Sequence, residues 1–231
     1  MIKNTIINRG IIKKIALALN ELNEDVIYVG GAVVSLYIND PAADDVRPTK
    51  DIDISLSVAT YAELETVREK LVTKGFSQTS EDHVVCRFRY DDVKVDVMNT
   101  KSIGWAPANP WFAPGFEVKE SIEVEGEKIY ILPLPYFLAT KFSAYIGRGA
   151  NDPIMSHDFE DIIYILDNRM DLVEQMKKTP EDVKPFLKEQ FELILSDRVK
   201  QEAIEGNLFY ETRDIRYMRI MESLRELVGL L

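Results

Sequence analysis

Residues 47–56, RPTKDIDISL, decide how the first half of the sequence is interpreted. Aliphatic residues alternate here with Asp51 and Asp53 in the pattern of a β-strand, although aspartate is uncommon in strands. Since residues two apart in a strand face the same side, both carboxylates are expected to project together. Such charges repel each other unless a cation lies between them, and hard oxygen ligands suit Mg²⁺. The alternative is an exposed strand end with two solvated acids.

Two glycines upstream of this stretch are the second feature. Gly30 and Gly31 follow a short apolar strand at residues 26–29 and precede an apolar segment at residues 32–38 that is predicted to be helical. A junction of strand, glycines and helix lets backbone N–H groups approach a phosphate, which the helix N-terminus also attracts. The alternative is an ordinary tight turn.

A third aspartate lies downstream in an alternating strand. In VKVDVM, residues 93–98, the valines share one face, and Asp96 shares the other face with Lys94 and Met98. By itself, Asp96 is the polar residue of an exposed face. Together with the glycine turn and the Asp-x-Asp pair, it completes the groups that a two-metal phosphoryl or nucleotidyl transfer site needs. We expect two Mg²⁺ ions there, with Mn²⁺ as the alternative metal.

The pattern of secondary structure changes near residue 133. Before it, predicted strands alternate with helices, and after it almost every segment has helical periodicity. We therefore predict an α+β (α/β) domain with a mixed sheet and flanking helices at residues 1–132. A helical domain follows at residues 133–231, which makes the predicted protein bilobed.

Three local features of the first half are specific enough to test. Thr60 and Glu63 match a capping box at the start of a surface helix. Residues 83–90 and 93–98 are predicted to form a hairpin across the dipeptide between them. Residues 99–115 are rich in Pro, Gly and Trp and are predicted to be a long loop.

The composition narrows the class of protein. The chain has 231 residues with 46% hydrophobic and 29% charged residues, which is typical of a globular protein. Its net charge of −11 argues against bulk attraction to nucleic acid or to an anionic membrane. No apolar run approaches the ~20 residues that span a bilayer, so no membrane association is expected. Because Cys86 is the single cysteine, no intramolecular disulfide can form, and a cytoplasmic location is favoured.

The motifs together resemble a known family. The glycine pair, R-x-T-x-D-I-D at residues 47–53 and Asp96 resemble the nucleotidyltransferase superfamily that includes DNA polymerase beta, and more closely its AbiEii/MenT-like toxin branch. That branch also carries K-L-x-A-x-x-x-R and R-D-x-x-D-L motifs. KFSAYIGR, residues 141–148, matches the first with Phe142 in place of Leu. HDFEDI, residues 157–162, matches the second with His157 in place of Arg and Ile in place of the final Leu. The resemblance extends from about residue 26 to residue 166.

The resemblance implies a nucleotidyltransferase fold and a role for each matching residue. Asp51, Asp53 and Asp96 would bind the metal ions and serve catalysis. The glycine turn would bind the triphosphate, and Lys141, also counted as catalytic, would neutralise it. The other implied nucleotide-binding residues are Arg47, Thr49, Arg148, Asp158 and Asp161. Spacing alone equally allows a salt-bridged surface between adjacent helices, made by Lys141, Arg148, Asp158 and Asp161.

The predicted activity is Mg²⁺-dependent transfer of an NMP from an NTP, such as ATP, to an acceptor hydroxyl. By the same resemblance, the acceptor is tRNA and the protein is the toxin of a toxin–antitoxin or phage-defence pair, with a cognate antitoxin protein as partner. One alternative is an antibiotic nucleotidyltransferase, because the acidic net charge also suits a cationic aminoglycoside. The other is a catalytically degenerate module that binds nucleotide.

Overall fold

The computed structural model describes residues 3–49, 51–148 and 152–231, and the chain divides into two compact units. The first unit comprises Met1–Ser35 and Asp44–Pro133, and the second comprises Leu36–Ala43 and Leu134–Leu231. A short segment from the first half of the chain thus belongs to the helical second unit.

The first unit is built on one mixed sheet. Its strands are β1 (Val26–Val29), β2 (Asp51–Leu56), β3 (Arg87–Tyr90), β4 (Val93–Asn99), β5 (Glu120–Val124) and β6 (Glu127–Ile131). They lie in the order β3-β4-β2-β1-β6-β5. β1 is antiparallel to β2 and parallel to β6, and β2 is parallel to β4. β3 with β4 and β5 with β6 form antiparallel hairpins.

Burial along the strands follows the sequence pattern. All residues of the inner strand β1, VIYV, are buried. Along β4, Val93, Val95 and Val97 are buried, whereas Lys94 and Asp96 on the other face are half-buried. The alternation predicted for this strand is therefore confirmed, because a strand presents successive side chains to opposite faces.

In the described part of the first unit, the α-helices beside the sheet are α1 (Lys3–Leu19), α2 (Tyr61–Thr73) and α3 (Phe112–Glu117). At the start of α2, Thr60 Oγ1 accepts a hydrogen bond from the backbone N–H of Glu63, and the Glu63 carboxylate accepts one from the backbone N–H of Thr60. This is the predicted capping box, in which two otherwise unpaired backbone donors are satisfied.

Three predictions of local structure were partly wrong. The apolar segment at residues 32–38 forms a 3₁₀-helix at Gly31–Leu36, because its short run contains adjacent β-branched valines. The strand predicted at residues 83–90 is limited to Arg87–Tyr90. The loop predicted at residues 99–115 ends where α3 begins, since Pro114 is tolerated in the first turn of a helix. A further 3₁₀-helix follows α1 at Asn20–Asp25.

The second unit is helical. Its helices are α4 (Leu134–Gly147), α5 (His157–Asn168), α6 (Leu172–Met176), α7 (Lys184–Ser196), α8 (Arg198–Asn207) and α9 (Arg213–Leu230), with a 3₁₀-helix at Tyr210–Thr212. α9 is anchored on α5, because the buried Asp167 carboxylate pairs with Arg216 and Arg219 at 2.7 and 2.8 Å. These arginines are therefore bound to a buried acid of their own unit.

Segment Leu36–Ala43 is fixed to this unit at two places. The ring of Tyr37 stacks on Phe137 of α4 with 4.0 Å between ring centroids. The backbone N–H groups of Asn39 and Asp40 both donate to the carbonyl oxygen of Asn168, at 3.2 and 3.1 Å. Because that carbonyl lies at the C-terminus of α5, the segment satisfies an acceptor that the helix itself leaves unpaired.

The predicted fold class is confirmed: a mixed sheet with flanking helices is followed by a helical C-terminal region. Within residues 3–49, 51–148 and 152–231, no helix is both long and apolar enough to cross a membrane.

Candidate active site

The three predicted aspartates lie on one face of the sheet in the first unit. β2 and β4 are neighbours in parallel, and their register places Asp53 beside Asp96. Asp51 lies two residues before Asp53 on β2 and therefore faces the same side. Parallel pairing of two strands that each carry an acid thus brings the carboxylates together.

The glycine turn lies directly against this group of carboxylates. Val29, the last residue of β1, pairs with Asp53, so the chain enters the turn beside the Asp53 side chain. Gly30 has a φ of +75°, a conformation that favours glycine, and a Cβ on it would lie 1.8 Å from Asp53 Oδ2. Glycine is required here both by the backbone and by the close approach of a carboxylate.

Arg47 and Thr49 lie on the other side of the same turn. A Cβ on Gly31 would lie 2.5 Å from Arg47 Nη2 and 3.5 Å from Thr49 Oγ1. The Thr49 hydroxyl in turn lies 3.4 Å from Asp51 Oδ1. All seven residues predicted for this part of the site, Gly30, Gly31, Arg47, Thr49, Asp51, Asp53 and Asp96, are therefore gathered at one place in the first unit.

We expect that replacing Gly30 with alanine lowers both stability and any activity of this site. A left-handed φ costs a non-glycine residue about 1–2 kcal/mol, and the new Cβ must also displace the Asp53 carboxylate. Urea denaturation should therefore show a free energy of unfolding lower by about 2 kcal/mol or more.

The matched control for this substitution is Gly10→Ala in α1. A Cβ on Gly10 meets nothing within 4 Å, and Gly10 lies inside a helix. The control should therefore raise stability by roughly 0.5–1 kcal/mol. Equal stability of Gly30→Ala and the wild type would show that the turn does not approach Asp53 as described.

Arg87 is the residue of this site that sequence reasoning missed. Its Nε donates to Asp96 Oδ1 at 2.7 Å, and its Nη2 donates to Asp96 Oδ2 at 2.7 Å and to Asp51 Oδ2 at 3.0 Å. The hydrogen bond to Asp96, followed by the negative charges of Asp96 and Asp51, raises the pKa of Arg87. One guanidinium thus bridges two of the three carboxylates and offsets one of their negative charges.

A signal for Arg87 was present in the sequence. The loop of a two-residue hairpin fixes its register, and Asp91 and Asp92 form such a loop between β3 and β4. Tyr90 then pairs with Val93, and counting back along the strands pairs Arg87 with Asp96.

The residues of the cluster fit a divalent cation by their chemistry. Asp51, Asp53 and Asp96 offer hard carboxylate oxygens, and the Arg87 guanidinium between two of them is a positive charge held at the place where a cation is expected. As they stand, however, the side chains in the described part of the chain include no three ligand-type groups that converge on one point.

Cys86 lies next to this cluster and is not equipped as a nucleophile. Its side chain is buried, and burial followed by the negative charge of Asp96 raises the pKa of the thiol to about 11. Since the thiolate is the reactive form, the neutral thiol at physiological pH is a small core residue.

The four predicted residues of the helical half form a separate cluster in the second unit. Lys141 Nζ of α4 lies 2.6 Å from Asp161 Oδ2 and 3.4 Å from Asp158 Oδ1 of α5. Arg148, just beyond α4, pairs with the second oxygen of Asp158. Lys141 and both aspartates are buried, whereas the Arg148 side chain is 73% exposed. The salt-bridged arrangement between adjacent helices that spacing allowed is therefore present.

His157 stands where the resembling family has arginine. It is the first residue of α5, follows the N-cap Ser156 and has a largely exposed side chain. Its Nδ1 lies 3.1 Å from Glu160 Oε2, one turn along the helix. The imidazole is therefore at the surface of the second unit, outside the buried ion pairs of Lys141.

Comparison with known proteins shows likeness to solved structures and none to sequence families. No protein-family model matches the chain, and no curated protein matches it in sequence. A solved structure similar to this chain is the crystal structure of an antigenic nucleotidyltransferase-like protein from Paracoccidioides brasiliensis, at 18% sequence identity and a TM-score of 0.49. The match covers 86% of this chain and 92% of that one. The strands and helices of this chain define its fold, and its site residues are the basis for the function proposed below.

Proposed function

We propose that this protein is a divalent-metal-dependent nucleotidyltransferase that moves an NMP from an NTP to an acceptor hydroxyl. The observation that carries the proposal is the placement of Asp51, Asp53 and Asp96 on one face of the sheet, directly against the Gly30–Gly31 turn. Three carboxylates beside a glycine turn supply both the charge that holds cations and backbone N–H groups for a triphosphate.

The reaction assigns a role to each of these residues. Asp51 and Asp53 would hold two Mg²⁺ ions, or Mn²⁺, and Asp96 would be the third carboxylate ligand. A metal ion held there would supply positive charge to the developing charge on the α-phosphate and would lower the pKa of the acceptor hydroxyl. An Asp96 carboxylate oxygen takes the hydroxyl proton and passes it to water.

The reaction is a displacement at the α-phosphorus of the NTP. The acceptor oxygen forms a bond to the α-phosphorus, and the bond from the α-phosphorus to the bridging oxygen breaks. Pyrophosphate leaves with that electron pair. The backbone N–H groups of Gly30 and Gly31 orient the phosphates, and the Arg47 guanidinium beside the turn supports the same anion. The contacts of Lys141, Arg148, Asp158 and Asp161 with nucleotide stay a prediction from the family resemblance.

The acceptor that we propose is tRNA, with the protein as the toxin of a pair that includes a cognate antitoxin. This part rests on the resemblance of the R-x-T-x-D-I-D stretch, and of the motifs at residues 141–148 and 157–162, to the toxin branch of the superfamily. The second candidate acceptor is an aminoglycoside, favoured by the net charge of −11, because an acidic protein attracts a polycationic small molecule.

A transfer assay with α-labelled NTPs tests the proposal. Each NTP is incubated with the protein and Mg²⁺, first with total tRNA and then with a panel of aminoglycosides, and each reaction is repeated with a chelator. We expect label in the acceptor that depends on metal. Absence of transfer to every acceptor, together with calorimetric NTP binding that does not change with Mg²⁺, would instead identify a nucleotide-binding module without catalysis.

A further inference from the structure

Arg87 makes three hydrogen bonds to the carboxylate cluster, which consists of Asp51, Asp53 and Asp96. Its guanidinium makes a two-pronged contact with Asp96, and the same Nη2 that reaches Asp96 Oδ2 also reaches Asp51 Oδ2. Arginine suits this bridging role because its donors lie in one rigid plane. The side chains of Arg87 and Asp96 are only 16% and 15% exposed, so water screens these contacts weakly.

We propose that Arg87 is the resident counter-cation of the cluster, and that a divalent cation binds Asp51 and Asp96 by exchange with its guanidinium. The proposal deepens the proposed function, on which it rests for the identity of the metal-binding residues. Its physical reason is electrostatic: acids on one face of the sheet repel one another unless a positive charge lies among them. Arg87 supplies that charge in the described state, and a metal ion would supply it in the exchanged state.

The exchange requires that a cation from solvent can reach the cluster. Asp51, whose side chain is 33% exposed, lines a cavity of about 460 Å³ together with Thr49, Val93 and part of α1. Arg87 holds Asp51 by a single hydrogen bond of 3.0 Å, whereas it holds Asp96 by two of 2.7 Å. The hydrogen bond that an entering cation would break first is therefore the one to Asp51, which is the longest of the three and lies at the more exposed carboxylate.

Exchange has a measurable consequence for metal affinity. Metal binding to the wild type must break hydrogen bonds between charged groups, and removing Arg87 abolishes that requirement. We expect Arg87→Met to bind Mn²⁺ about ten- to a hundredfold more tightly than the wild type, measured by electron paramagnetic resonance of unbound Mn²⁺. A structural role alone would leave the affinity of the folded protein for metal unchanged or reduced.

The matched control is Arg89→Met on the same strand. Arg89 makes an analogous two-pronged contact, at 2.7 and 3.0 Å, but with Asp82 and not with an aspartate of the cluster. This variant should keep the wild-type affinity for Mn²⁺. Equal affinities of the wild type and Arg87→Met, or no Mn²⁺ binding by either, would overturn the proposal.

Thermal unfolding gives a second readout. Without metal, Arg87→Met should melt at a lower temperature than the wild type, because its carboxylates lack a counter-charge. Added Mn²⁺ should raise the melting temperature of the variant by more than that of the wild type, since a ligand that binds more tightly stabilises more.

If Arg87→Met does not fold, Arg87→Lys is the variant that tests the exchange. One ammonium cannot reproduce the planar bridge, so Mn²⁺ affinity above the wild-type value supports exchange, and an unchanged value overturns it.

The outcomes separate this proposal from the proposed function. If Arg87→Met binds Mn²⁺ more tightly but the wild type transfers NMP to no acceptor, exchange is supported and the transferase activity is ruled out. Transfer by the wild type with unchanged Mn²⁺ affinity in Arg87→Met keeps the transferase and overturns exchange.

Discussion

Asp53→Asn is expected to lower NMP transfer by about a thousandfold, which corresponds to roughly 4 kcal/mol of transition-state stabilisation. Asparagine has the size of aspartate, so it can keep the close approach of this side chain to Gly30. It removes a negative charge from a face that also carries Asp51 and Asp96. The loss should therefore affect cation binding and the chemical step, while the fold remains intact. Initial rates with labelled NTP, and thermal unfolding without metal, measure the two effects separately.

Asp92→Asn is the control for this substitution. Asp92 lies in the turn between β3 and β4, has a side chain that is 88% exposed, and pairs with Lys14. The substitution also removes one negative charge from the first unit, but it does not change the carboxylate cluster, so the rate of transfer should not change. A rate for Asp53→Asn within about tenfold of the wild type would show that these carboxylates are not the reactive centre.

Lys141→Met is expected to lower the free energy of unfolding by about 3–5 kcal/mol. Lys141 is 4% exposed, and its ammonium lies within hydrogen-bonding distance of the buried Asp161 carboxylate and 3.4 Å from Asp158. Methionine leaves these acids with the exposed Arg148 as the remaining cation of the described cluster. The cost arises because a buried charge without a counter-charge is far less stable than the same charge in water.

Two probes can assign the effect of Lys141→Met to its own unit. Trp105 and Trp111 both lie in the first unit, so their fluorescence follows that unit, whereas far-ultraviolet circular dichroism is dominated by the helices of the second. We expect the dichroism transition to move to lower urea concentration. Adding Asp161→Asn to Lys141→Met should recover part of the loss, because it removes the buried charge that Lys141 contacts most closely. An unchanged transition in the single variant would contradict the ion-pair network.

Arg148→Met is the control for burial within the same cluster. Its side chain is 73% exposed and pairs with Asp158, which also has Lys141 nearby. Since water can solvate the exposed partner, this substitution should cost about 1 kcal/mol or less. The contrast tests whether burial, and not merely ion pairing, determines the stability of the cluster.

The sequence was informative where local periodicity determines the structure. The alternation around Asp51, Asp53 and Asp96 predicted that each would face away from the buried side of its strand, and the capping box of α2 was predicted from Thr60 and Glu63. These features depend on residues a few positions apart. The pairing of Asp53 with Asp96 depends on the parallel register of β2 and β4, which no local pattern encodes.

The missed features depend on contacts between distant residues or on weighing competing local signals. Arg87 was not predicted as a site residue, although the two-residue hairpin loop determines its pairing with Asp96. The ion pairs of Arg216 and Arg219 with Asp167 were not predicted either, because the spacing of arginines on α9 is equally typical of a solvated helix face.

The placement of Leu36–Ala43 in the helical unit affects how this protein can be divided. A fragment starting at Leu134 would contain every helix of that unit but would lack the ring that covers Phe137 and the donors that cap Asn168. A fragment ending at Pro133 would carry the same segment without its partners. Limited proteolysis or gene truncation at residue 133 should therefore yield two destabilised pieces. A fusion that joins residues 36–43 to the N-terminus of the helical region is the form in which we expect that region to fold alone.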